Sequence, residues 1–77
     1  MSARPVKHSV TLRGHRTSVS LEDDFWIEFR AIAAEKDMPI NALVAEIDVA
    51  RGVNMGLASA IRLYVLHTLK DRLPKLA

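Results

Sequence analysis

The chain of 77 residues is long enough for one small domain, and its composition of 49% hydrophobic and 26% charged residues is typical of a globular protein. It contains no cysteine, which excludes disulfides and thiolate chemistry. No basic, hydrophobic leader begins it, and its most apolar run, residues 57–69, contains Arg62 and His67 and is too short to span a bilayer, so we expect a cytoplasmic protein.

Charge is distributed unevenly along the chain. Residues 1–20 carry four Lys and Arg residues and no acid, whereas residues 21–51 carry eight acids against three bases. A basic arm is often only a solvated tail. A basic segment that excludes acids and coincides with a strand pattern, however, indicates an anion-binding surface, most often for nucleic acid.

Residues 16–21 alternate between polar and apolar side chains, as a half-buried β-strand does. The polar set is Arg16, Ser18 and Ser20, and the apolar set is Thr17, Val19 and Leu21. A weaker alternation at 9–12 allows a short additional strand, but its apolar residues have the opposite parity. One continuous strand would therefore place one apolar set on the wrong face, and Gly14 is expected to reset the register by a turn or bulge.

Three helices are predicted after the strand, over about 22–36, 40–51 and 57–72, in the overall order β-α-α-α. Three acids begin the first helix, where its dipole favours negative charge. Pro39 precedes the second, and Gly52 is expected to end it in a left-handed conformation. The apolar stripes of the three helices include Phe25, Phe29 and Ile32; Ile40, Val44 and Ile47; and Leu57, Ile61 and Val65.

A single strand leaves backbone N–H and C=O groups unpaired along both of its edges. We therefore expect the same strand of a second copy to pair with it antiparallel about a two-fold axis, in an intertwined homodimer. Two chains would also bury one shared interior, which a chain of this size needs. The expected dimer core contains Thr17, Val19, Leu21, Phe25, Phe29, Ile32, Ile40, Val44 and Ile47.

The run RTSVSLEDDFWIEFRAIAAEKDMPINALVAEI resembles a ribbon-helix-helix domain of the Arc and methionine-repressor type. The resemblance covers about residues 15–50. With KHSVTLRGHRTSVSLED at its beginning and a third helix after it, the whole chain is similar to a small bacterial group of such proteins. The resemblance implies a dimeric two-stranded ribbon in the DNA major groove, and hence a sequence-specific transcriptional regulator of the repressor kind.

The resemblance also implies roles for particular residues. The outward strand residues of the family reach base edges, which here means Arg16, Ser18 and Ser20. Backbone N–H groups at the start of the second helix grip a phosphate, which here means Ile40 and Asn41. The sequence departs from the family at position 39, where proline replaces the common Ser or Thr cap. The remaining phosphate contacts are expected from the basic arm, at Arg4, Lys7, His8 and Arg13.

The sequence thus divides into a basic arm at 1–15, a ribbon-helix-helix core at 16–51, and a loop with a C-terminal helix at 52–77. We expect the third helix to pack on the outer flank of the dimer, and its surface is also a candidate site for a protein partner.

Other functions are less compatible with the sequence. It has no nucleophile–base set and no Gly-rich phosphate loop, so we expect neither an enzyme nor a cofactor. His8, His15 and His67 lack the spacing of a metal site. The alternative that stays open is a protein-interaction module, such as an antitoxin or a dimeric adaptor without DNA binding. Binding to bare duplex DNA would separate these two classes.

Overall fold

Two strands and three helices follow one another in the computed structural model, which describes residues 4–74. The strands are β1 (Val6–Leu12) and β2 (His15–Leu21), and the helices are α1 (Asp23–Glu35), α2 (Ile40–Ala50) and α3 (Leu57–Asp71). The predicted helices are confirmed to within one residue at each end. The first three residues of the basic arm and the last three of the C-terminal segment lie outside the described residues.

The strands β1 and β2 pair antiparallel within the chain, so the expectation of one strand without an intrachain partner is wrong. Leu12 faces His15, and the two residues between them have positive φ, 54° for Arg13 and 78° for Gly14. Positive φ at both central positions defines a type I′ turn, whose twist matches that of the strands it joins. The weak alternation at 9–12 is thus part of a strand of seven residues.

The hairpin accounts for the opposite parity of the two strand patterns. A two-residue turn pairs even-numbered residues of β1 with odd-numbered residues of β2, as in the pairs Val10–Thr17 and His8–Val19. Each pair points to the same side of the sheet, so Val10 and Val19 are buried together, at 3% and 4% exposure. The turn at Arg13 and Gly14 therefore brings the apolar residues of both strands to one face, which confirms the turn expected at Gly14.

The helix ends follow local backbone geometry. Asp37 adopts a positive φ of 55° after α1, and the N–H groups of Asp37 and Met38 donate to carbonyls of the last turn, as in a Schellman-type end. Pro39 precedes α2 in an extended conformation. Gly52 does not adopt the left-handed conformation that the sequence suggested, since Gly14 is the one glycine of positive φ in the part of the chain that the structure describes.

The core is filled by one chain. Six residues of the predicted dimer core are buried here, and the other three, Thr17, Phe25 and Ile40, are half-buried. The helix α3 completes this interior with Ala60, Ile61 and Val65. The buried residues of the predicted dimer core are Val19, Leu21, Phe29, Ile32, Val44 and Ile47. The helix α3 thus covers these side chains from within the chain.

Two ion pairs hold α3 alongside α1. Arg62 binds Glu22, just before α1, with 2.8 Å between Nε and Oε1, and Arg72 binds Glu35 at the end of α1. The start of α1 is paired with the first half of α3, and the end of α1 with the residue just after α3. The two helices therefore run in the same direction. None of the helices in residues 4–74 is long and apolar enough to cross a membrane.

Candidate nucleic-acid interface

One side of the hairpin is polar and exposed along its whole length. We call this side the outer face. It consists of three cross-strand pairs, Lys7–Ser20, Ser9–Ser18 and Thr11–Arg16, and all six residues are exposed. No acid occurs between residues 4 and 21, so the outer face has a purely positive charge.

The two cations of the outer face lie at diagonally opposite corners. Lys7 faces Ser20, and Arg16 lies four residues before Ser20 on the other strand. Strand dimensions place the Cα atoms of Lys7 and Arg16 about 14 Å apart. Between them lie hydroxyl groups that both donate and accept hydrogen bonds. Such a face can bind two phosphates or one phosphate and a base edge, with adaptable hydrogen bonding between them.

The structure brings together the predicted base-reading residues Arg16, Ser18 and Ser20 and adds two that sequence reasoning missed. Ser9 and Thr11 lie directly across from Ser18 and Arg16 on the same face. The signal for them was the opposite parity of the two alternating segments around Arg13 and Gly14. A hairpin whose turn has an even number of residues, here two, puts both polar sets on one side.

Two of the predicted phosphate contacts are engaged elsewhere in the chain. His8 lies on the inner side of the hairpin, where its ring stacks on Trp26 at 4.0 Å between centroids and 10° between planes. Arg13 lies in the turn, 3.4 Å from Oδ2 of Asp48, whose side chain is only 8% exposed. Lys7 is on the outer face, and Arg4 is exposed just before β1.

The start of α2 is attached to the hairpin. Oδ1 of Asn41 accepts a hydrogen bond of 2.9 Å from the backbone N–H of Thr11. The carbonyl of Pro39 accepts from Ala42 and Leu43, so the N–H groups of Ile40 and Asn41 have no partner within the helix. The side chain of Asn41 therefore positions β1, and its backbone N–H remains available for an anion.

The two edges of the hairpin differ. In a hairpin with a two-residue loop, the residues flanking the loop bond to each other, and so does every second pair beyond them. The backbone groups of Arg16, Ser18 and Ser20 therefore point away from β1, and we call this side the open edge of β2. The Ser20 carbonyl accepts from Arg62 at 3.3 Å. On the edge of β1, Asn41 occupies the N–H of Thr11.

Comparison with known families agrees with this arrangement of a polar ribbon over helices. Residues 5–69 match the ribbon-helix-helix domain, which is most of the chain. The chain belongs to the ribbon-helix-helix family. No curated protein and no solved structure gives a significant match to it. Ribbon-helix-helix proteins are generally DNA-binding regulators, typically dimeric and not enzymes.

The described residues show no alternative site of a metal-binding kind. Within residues 4–74, no three His, Asp or Glu side chains come close enough together to hold a metal ion. Residues 4–21, which form the hairpin and the segment just before it, contain Arg4, Lys7, Arg13 and Arg16 and no acid.

Proposed function

We propose that this ribbon-helix-helix chain is a homodimeric transcriptional regulator that binds double-stranded DNA sequence-specifically through the outer face of its hairpin. The observation that carries the proposal is the exposed, acid-free face of Lys7, Ser9, Thr11, Arg16, Ser18 and Ser20. A β-ribbon enters the major groove, where base edges present distinct patterns of donors and acceptors. An interior filled by the helices leaves this face with no packing role.

Each group of residues has a separate part in the proposal. Arg16 reads guanine through its forked guanidinium, and the short hydroxyls of Ser18 and Ser20 bind base edges with little discrimination. Lys7 and Arg4 contact phosphates, as do the backbone N–H groups of Ile40 and Asn41 at the start of α2. His8 has no part, because its ring is stacked on Trp26.

The test begins with a selection of binding sites from random duplex DNA at two salt concentrations. Binding of the selected duplex and of a scrambled duplex is then measured for the wild type, Arg16→Ala and Lys7→Ala. Arg30→Ala is the matched control, since Arg30 is an exposed cation on α1 rather than on the hairpin.

The two hairpin variants should differ. Arg16→Ala should cost about 1–3 kcal/mol per lost base contact and remove the preference at one position of each half-site. Lys7→Ala should weaken both duplexes equally and reduce the salt slope, which we expect at about −3 to −4 for three or four neutralised phosphates. Equal losses from Arg30→Ala and Arg16→Ala would indicate nonspecific attraction, and no effect of Arg16→Ala would exclude the outer face as the reading surface.

A protein-interaction module is the second candidate, because three leucines in α3 and just after it are exposed. Leu63, Leu66 and Leu73 are 38%, 47% and 63% exposed, and Leu63 also lines a shallow cleft of about 230 Å³ between α2 and α3. A partner that buried them would make the chain an antitoxin or an adaptor. This candidate would be favoured if the wild type bound no duplex at moderate salt and Arg16→Ala bound DNA no differently from the wild type.

A further inference from the structure

The shallow cleft between α2 and α3 is largely apolar. Its volume is about 230 Å³, and it is lined by Ile47 of α2 and Ala60 of α3, which are both buried. The half-buried Met55 and the exposed Leu63 line it as well. Because apolar surface in contact with water is unfavourable, such a cleft favours a ligand that has an apolar part.

Arg51 lines the same cleft with a guanidinium that the chain holds in place. Its Nε donates to Oδ1 of Asp48 at 2.7 Å, and its Nη1 donates to the carbonyl of Met55. A guanidinium has five N–H donors, two of which are used here, so three have no partner among residues 4–74. The side chain is 31% exposed, so a ligand can reach these donors. The two existing hydrogen bonds orient them before any ligand binds, which lowers the entropy that binding costs.

The charge of Arg51 is only partly compensated. Asp48 binds Arg51 through Oδ1, and its other oxygen, Oδ2, lies 3.4 Å from Arg13. Two guanidiniums thus share one carboxylate, which leaves one positive charge in excess. Among the described residues that line the cleft there is no acid, and His67 lines it from α3. The electrostatic complement of this cleft is therefore an anion.

We propose that this cleft binds a small carboxylate with an apolar ring or chain. The carboxylate binds the free N–H donors of Arg51, and the apolar part lies against Ile47 and Ala60. Sites for drug-sized ligands have volumes of roughly 300–1,000 Å³, so this smaller cleft suits a single ring with one carboxylate. Tyr64 and His67 also line it and can hydrogen-bond to the ligand. The site is separate from the outer face, and its ligand is bound without DNA.

The first experiment titrates the full chain with benzoate, which combines one ring with one carboxylate. Benzamide has the same shape without the charge, and acetate has the charge without the ring. Amide chemical shifts in nuclear magnetic resonance spectra measure the affinity and show where each compound binds. Benzoate should bind with a dissociation constant of about 1 mM and shift the signals of the cleft residues. Both other compounds should bind at least about tenfold more weakly, since each lacks one of the two interactions.

Variants then separate the charge from the apolar surface, and circular dichroism verifies that each one folds. Arg51→Gln should weaken benzoate to the level of benzamide and leave benzamide unchanged. Arg72→Gln is its control, because Arg72 also pairs with a carboxylate but does not line the cleft. Ala50→Phe fills the cleft from an exposed position at the end of α2, so it should fold and abolish benzoate binding. Ala42→Phe, at an exposed alanine of α2 outside the cleft, should bind benzoate as the wild type does.

Several results would overturn the proposal. Benzoate that causes no saturable shift well above the expected dissociation constant, or shifts centred on the hairpin, would exclude the cleft as the site. Equal affinities for benzoate and benzamide, or equal losses from Arg51→Gln and Arg72→Gln, would refute the role of Arg51. If Ala50→Phe left benzoate binding intact but weakened self-association in sedimentation equilibrium, the occupant would be a second copy instead. None of these measurements involves DNA, so the proposed function is tested separately.

Discussion

Glu22 connects the hairpin, α1 and α3 through one carboxylate. It lies between Leu21 and the start of α1, and it accepts two hydrogen bonds from Arg62, whose guanidinium also lies 6.0 Å from the centre of the Phe25 ring. These hydrogen bonds from Arg62 are the largest cause that lowers the pKa of Glu22 below its ordinary value, and the residue's own backbone N–H adds to them. The carboxylate is thus favoured in the folded state.

The lowered pKa of Glu22 predicts a loss of stability in acid. Its contribution is fully present above the ordinary carboxyl pKa of 4.5 and is lost as the pH falls through the lowered value. Glu22→Gln should therefore unfold more easily than the wild type at neutral pH, and the difference should shrink on acidification. Denaturant melts at several pH values measure this. Glu28→Gln, at an exposed carboxylate within α1, is the control, and an equal effect of both variants would contradict the role of Arg62.

The residues of the candidate site were predictable to different degrees. Arg16, Ser18 and Ser20 follow from strand periodicity alone, because alternation fixes which side chains share a face. The contacts of His8, Arg13 and Asn41 did not follow from the sequence. Their partners Trp26, Asp48 and Thr11 lie 18, 35 and 30 residues away, and only the packing of α1 and α2 on the hairpin brings them together.

At the scale of the elements, the helices were easier to predict than the hairpin. Each helix has an apolar stripe and a proline, glycine or acid near an end, which define its bounds locally. The hairpin depends on a pairing between two segments, and its turn is Arg-Gly rather than the common Asn-Gly or Asp-Gly. Arginine is uncommon at positive φ, so the sequence around Arg13 did not indicate a turn of this type. In the structure, the side chain of Arg13 forms an ion pair with Asp48.

The turn predicts opposite effects for two glycine substitutions. Gly14 has a φ of 78° and Gly52 has no positive φ, while an added Cβ would meet no atom within 4 Å at either site. Gly14→Ala should therefore cost about 1–2 kcal/mol by backbone strain alone. Gly52→Ala should be neutral or stabilise by up to about 1 kcal/mol, through the unfolded state. Thermal melts of both variants measure the difference, and equal destabilisation would contradict the type I′ turn.

At the scale of the whole molecule, α3 supplies part of the buried core that the sequence suggested a second copy would have to provide. The sequence suggested that two chains were needed to bury one interior, yet twelve apolar residues from β1, β2 and all three helices form one buried cluster within the chain. A dimer of such chains would therefore not need to bury a shared interior. Such a dimer can dissociate without unfolding, unlike an intertwined one, whose chains have no stable monomer.

The dependence of this single-chain core on α3 gives the last prediction. Ile61 is fully buried, at 0% exposure, whereas Leu66, on the same helix, is 47% exposed. Ile61→Ala should lower the free energy of unfolding by about 2–5 kcal/mol, because it leaves a cavity between α3 and the rest of the core. Leu66→Ala should change it by no more than about 0.5 kcal/mol, since alanine favours the helix and little packing is lost. Denaturant melts well below the dimer dissociation constant isolate the monomer. A large loss from Leu66→Ala under those conditions, with little from Ile61→Ala, would mean that α3 packs on the opposite face and that the core needs the second chain after all.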